Sequence, residues 1–187
     1  MSSQTQSLPY RQKIIIDTDP GIDDAMALHF AFADARLEVM GLTTVFGNVF
    51  IEQATRNALF LVEQAAYSAD VAGGASYPLN MAMNPPSHHV HGAEGMGALA
   101  AVTPASMADP RPAHMYLSET CRAHSGDIIL CPIGPLTNIA ALLDYDPDIT
   151  KHVKKVVIMG GTVFHRGNVT PCAEAHGWND RHAADAV

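Results

Sequence analysis

Short strand-length apolar runs alternate with longer helix-patterned segments along most of the chain, and this alternation constrains the fold more than any other feature of the sequence. Lys13 to Ile16 is a β-branched run, and Ala25 to Ala33 after it has the apolar density of a buried helix. Leu37 to Thr43 reads as a strand, Ile51 to Ala66 as a helix, Asp70 to Ala72 as a short strand and Pro112 to His124 as a helix. Asp127 to Cys131 is again strand-like, Leu136 to Leu143 helical and Val153 to Met159 strand-like. Strands that alternate with helices imply an α/β fold, a mostly parallel doubly wound sheet flanked by helices.

Residues 1–12 are polar and read as a disordered amino-terminal tail, which leaves one α/β domain over 13–187. Between Gly73 and Pro110 the chain is rich in Gly, Pro, Asn, Met and His, too long and irregular for a simple connection, so a lid or binding segment is expected there. The final HAADAV reads as a helix without a C-cap signal, as though the domain continued beyond it.

The net charge of -8 carries no long acidic run and argues against nucleic acid or anionic membrane partners; a small neutral or cationic ligand fits better. No apolar run approaches the ~20 residues of a membrane helix and no signal peptide is evident, so a cytoplasmic protein is expected. Cys121, Cys131 and Cys172 are odd in number and widely spaced, which predicts reduced, buried thiols in place of disulfides or a zinc site.

The chemistry concentrates in DTDPGIDD, which sets Asp17, Asp19, Asp23 and Asp24 within eight residues at the carboxyl end of the first strand. Ligands of open α/β sheets bind outside the carboxyl ends of strands. Crowded carboxylates in a partly dry crevice need a compensating cation, and a hard divalent ion, Ca²⁺ or Mg²⁺, suits oxygen ligands. Helix capping by Asp23 or Asp24 explains one acid of the four. A second enzymatic reading takes Asp17 as the nucleophile and Asp19 as the acid of a haloacid-dehalogenase-type phosphatase, although Pro20-Gly21 and the Asp23-Asp24 pair fit that pattern poorly.

Taken whole, KIIIDTDPGIDDAMAL resembles the amino-terminal signature of the inosine-uridine-preferring nucleoside hydrolases. TTVFGN at 43 to 48, HGAEGMG at 91 to 97, CPIGPLTNIA at 131 to 140, and VVIMGG with GNVTPCAEAHGWND up to Asp180 follow in the order of that family. The resemblance implies hydrolysis of the N-glycosidic bond of ribonucleosides to ribose and free base. It implies Ca²⁺ held by Asp19, Asp24 and the backbone carbonyl of Ile133, with Asp19 as the base that accepts a proton from a calcium-activated water. It places Asp23, Asn48, Asn168 and Glu174 on the ribose, Met159 beneath the sugar and His91 near ribose or base.

His176 stands where the family commonly has Asn, and it takes that ribose-binding position with a larger ring. His88 and His89 beside His91 would suit zinc better than an oxygen-lined calcium site. The resemblance also implies a longer complete protein, in which a later His-Asp pair supplies the acid for the leaving base and another calcium carboxylate, and a homo-oligomer, dimeric or tetrameric. The chain is therefore expected to be an amino-terminal portion of such an enzyme, and a ribose- or nucleoside-binding remnant without turnover stands as the alternative from another functional class.

Overall fold

The computed structural model describes residues 10–187. Its elements run β1 (Gln12–Thr18), α1 (Ile22–Ala33), β2 (Leu37–Thr44), α2 (Ile51–Gln64), β3 (Asp70–Gly73), α3 (His88–His91) and α4 (Ala113–Ala123), then β4 (Ile129–Pro132), α5 (Thr137–Tyr145), β5 (Lys155–Val156), α6 (Ala175–Asn179) and α7 (Arg181–Ala186). The strands form one sheet in the order β3-β2-β1-β4-β5, and every pairing is parallel. The chain winds outward from β1 to β3, then returns to β4 on the other side of β1, so the winding reverses between β1 and β4.

Alternation along β1 sends its side chains to opposite faces. Ile14 and Ile16 join Leu28, Leu42, Ala58 and Leu61 under α1 and α2, while Ile15 joins Tyr116, Leu117, Leu130, Ile139 and Leu142 under α4 and α5. The β1–β2 register shifts between Ile14 and Ile15, where partner numbering jumps from Val39 to Gly41. That bulge lets Val39 and Leu42, three residues apart, reach the same core.

Several boundaries differ from the sequence expectation. α1 starts at Ile22, because the tight turn already supplies a cap: Asp24 reaches back to accept from the Gly21 amide at 3.1 Å. β1 extends to Gln12, and Tyr10 already bonds Asp127 at 2.5 Å, so the expected tail is held at its last residues; its remainder, 1–9, lies outside the described residues. β5 is limited to two residues, although Val157 and Met159 still donate to Leu130 and Pro132 of β4 at 2.8 and 2.9 Å. The segment from Gly73 to Pro110 contains one helical turn at His88–His91 and is otherwise irregular. Of the three thiols only Cys121 is buried; Cys131 is intermediate and Cys172 exposed, contrary to the expectation of uniform burial. No helix among the described residues is long and apolar enough to cross a membrane.

Candidate active site

The four acids at the end of β1 divide by environment. Asp17, next to last in β1, is buried and accepts from Thr43 Oγ1 at 2.5 Å and Asn138 Nδ2 at 2.7 Å through Oδ1. The other oxygen of Asp17, Oδ2, is buried without a hydrogen-bond partner. Asp19 is fully buried; its Oδ2 accepts from the Asn48 backbone amide at 2.7 Å, while its Oδ1 has no hydrogen-bond partner. Asp24 is buried on the first turn of α1 and accepts from Thr18 Oγ1 at 2.7 Å, the Gly21 amide and Asn48 Nδ2 at 3.1 Å. Asp23 is exposed, 3.6 Å from His91 Nδ1.

Two loops close on Asp19. A methyl carbon at Gly47 would lie 2.0 Å from Asp19 Oδ2, and one at Gly134 would lie 2.8 Å from Oδ1. Only glycine permits this approach at either position. Ile133 is fixed beside them, its amide donating to the Asp17 carbonyl at 2.7 Å. Its peptide link to Gly134 thus runs alongside the unpartnered Asp19 oxygen. His91 is buried against the acidic turn, with Nδ1 accepting from the Ile22 amide at 3.3 Å, which puts its proton on Nε2.

Electrostatics follow from this burial. Desolvation pushes the Asp17 carboxyl up to about 7, against the hydrogen bonds of Thr43 and Asn138 that pull it down. Asp19 is raised well above the ordinary carboxylate range, first by burial and then by the neighbouring Asp24 charge. Asp24 is raised by burial too, and Thr18 and Gly21 oppose the shift. Three adjacent acids that all resist ionisation form a centre that calls for positive charge.

The residues expected from the later motifs gather in a second group at the carboxyl end of β5. The Met159 amide bonds Pro132 of β4, its carbonyl lies 3.2 Å from His176 Nδ1, and its side chain is half exposed. Glu174 accepts from the amides of His176 and Gly161 at 3.0 Å and of Gly177 at 3.3 Å, so it caps α6 and ties down the loop after β5. Burial works upward on the Glu174 carboxyl, but those amides and the nearby His176 hold its pKa below the usual range. Asn168 accepts from the Ala175 amide at 3.0 Å, and with Glu174 it borders an open cavity of about 420 Å³. His176 is buried and lines a cavity of about 190 Å³ with Leu136, Met159 and Gly160. The expected sugar-binding set is thus split: Asp23, Asn48 and His91 surround the acidic turn, and Met159, Asn168, Glu174 and His176 form a separate shelf at the carboxyl end of β5.

The donor set near Asp19 fits a hard divalent cation. Asp19 Oδ1 is a buried carboxylate oxygen with no donor, and a backbone peptide at 133–134 adjoins it. No group of three or more His, Cys, Asp or Glu side chains among the described residues converges to hold a metal alone. A cation here would draw on the Asp19 and Asp24 carboxylates and the Ile133 carbonyl, and would need further oxygens to complete its shell.

A profile of the inosine-uridine preferring nucleoside hydrolases matches residues 14–187. The chain belongs to that family. This nucleoside hydrolase chain is 44% identical to uridine nucleosidase 1 of Arabidopsis thaliana over 177 residues, 94% of this chain and 53% of the relative. It is 38% identical to an inosine-uridine preferring nucleoside hydrolase of Leishmania major over 179 residues, 94% and 56% of the two chains. A solved plant nucleoside hydrolase superposes with a TM-score of 0.90 at 40% identity, over 94% of this chain and 56% of that one. A purine-preferring ribonucleoside hydrolase from Gardnerella vaginalis also gives 0.90, at 32% identity over 94% and 57%. The chain spans about half the length of the curated relatives it matches.

Sequence reasoning missed three residues of this candidate site. Thr18 bonds Asp24, and Asn138 joins Asp17 to the Thr44 carbonyl at 2.9 Å and the Ala75 amide at 2.8 Å. Asp180, fully buried, had been only the last letter of a motif. Its place before a helical run carries an N-cap signal, and it does accept from the Ala183 amide at 3.0 Å.

Proposed function

We propose that this chain carries the calcium- and ribose-binding part of a ribonucleoside hydrolase, which cleaves the N-glycosidic bond to give ribose and free base. The unpartnered, buried Asp19 Oδ1 beside Gly134 is the observation that supports it most directly. Asp19, Asp24 and the Ile133 carbonyl would hold Ca²⁺, which supplies Lewis-acid charge that makes a water at the site easier to deprotonate. Asp19 accepts that proton, and Asn48 holds its other oxygen in place. The carboxylates disfavour anionic groups and favour the positive charge that develops on the ribose carbon as the base departs. Asp23, Asn48, His91, Met159, Asn168, Glu174 and His176 orient the sugar, and His176 does so with its Nδ1 held by the Met159 carbonyl. The substrate is a small ribonucleoside and the role nucleoside catabolism and salvage in the cytoplasm; the enzyme works as a homo-oligomer.

The deciding experiment titrates the purified chain with Ca²⁺ by calorimetry and then assays ribose release from inosine and uridine. Calcium binding with turnover supports the reading, and Asp19→Ala should then lower turnover by about 10²–10⁴-fold. Calcium binding without turnover assigns the chain a ribose-binding role, and absence of both sinks the proposal.

A further inference from the structure

Asp180 holds together segments that are far apart in sequence. Its Oδ2 accepts from Thr137 Oγ1 at 2.8 Å and from the Leu79 amide at 2.9 Å, while Oδ1 caps α7. Asp180 is fully buried and Thr137 nearly so, which shields the pair from competing water. Thr137 opens α5 directly after the Ile133–Leu136 turn, whose peptide adjoins Asp19. The next residue, Asn138, grips Asp17, Thr44 and Ala75. On the other side, Asp180 ends the α6 segment that carries Glu174 and His176. Asn84 adds a parallel tie, donating to Asn179 Oδ1 at 3.2 Å.

We infer that Asp180 is a positioning residue: through Thr137 it sets the shelf carrying Asn168, Glu174 and His176 against the acidic turn carrying Asp19 and Asp24. This rests on the proposed function for the meaning of the two surfaces. Neither Asp180 nor Thr137 needs to touch cation or sugar. The bond between them fixes the gap that a ribose, held by both surfaces, must span, so its loss should penalise the sugar and spare the cation.

Thr137→Val removes the cross-segment bond at nearly constant volume, and Thr137→Ser restores the hydroxyl. With the full chain, calcium affinity in Thr137→Val is expected to stay within about twofold, while ribose affinity at saturating Ca²⁺ falls about tenfold, the size of one charge-assisted hydrogen bond. Thr137→Ser should return ribose affinity to the unaltered level. Equal losses of calcium and ribose affinity, or unchanged ribose affinity, would overturn the inference. Hydrogen exchange provides a ligand-free arm: Thr137→Val should speed exchange at Leu79 and across 176–183 together. Acceleration in only one of those segments also overturns it. If the unaltered chain binds neither Ca²⁺ nor ribose, the proposed function fails on that result, and the exchange arm alone decides whether Asp180 couples the two surfaces.

Discussion

Asn48 holds two of the acids at once: its backbone amide donates to Asp19 at 2.7 Å and its side-chain amide donates to Asp24 at 3.1 Å. The pairing depends on Gly47, whose missing side chain lets the loop after β2 settle against Asp19. Asn48 therefore ties the Asp19 and Asp24 carboxylates to one residue of the loop after β2.

Asn48→Ala deletes the arm to Asp24 and leaves the backbone bond to Asp19. The expected cost is about 1–3 kcal/mol of stability in urea denaturation, the range for a hydrogen bond to a charged or buried group. Asn48→Asp should cost more in the presence of a chelator, since it adds a carboxylate against Asp24, and Ca²⁺ should recover most of the difference. Equal stability of the two variants in chelator would contradict this account.

Acidic pH should stabilise the chain when divalent cations are absent. The folded-state pKa of Asp17 is raised from 3.8 to about 7, so between those values the folded state binds more protons than the unfolded chain. Stability then falls as pH rises from about 4 to about 7, and Asp19 and Asp24, shifted in the same direction, deepen the fall. The Asp146 carboxyl, held at about 2 by Arg122 and Ser118, changes stability only below that window. Melting temperatures in chelator should decline from pH 5 to pH 8, Asp17→Asn should flatten the decline, and Ca²⁺ should oppose it by favouring the ionised acids.

The three thiols should react in a fixed order. Cys172 is exposed, Cys131 intermediate, and Cys121 buried with its thiol pushed up to about 12 by desolvation. A disulfide reagent at neutral pH should modify one cysteine quickly, a second slowly and the third only on unfolding. Peptide mapping that finds Cys121 among the fast-reacting thiols would contradict the packing of α4.

The acidic turn was legible because DTDPGIDD confines its chemistry to eight consecutive residues whose place at a strand end follows from the alternation of elements. Local pattern says less about bonds that span the chain. The union of Thr137 with Asp180 joins residues 43 positions apart, and that of Asn138 with Asp17 joins residues 121 apart. Glu174 shows the converse difficulty. Its place in the family motif was readable, but its three bonds to backbone amides arise only once the loop after β5 folds back on α6. The brevity of β5 was likewise hidden, because the apolar run at 153–159 does not reveal how few of its residues keep regular pairing.

The reversal of winding between β1 and β4 has a developmental consequence for the fold. Strands are laid down outward in both directions from a seam that already holds Asp17, Asp19 and the Ile133–Gly134 peptide. Growth or loss at either margin of the sheet therefore alters what surrounds the acids without passing between them. Such an architecture lets peripheral loops and strands change around a centre whose spacing is set by the two innermost strands.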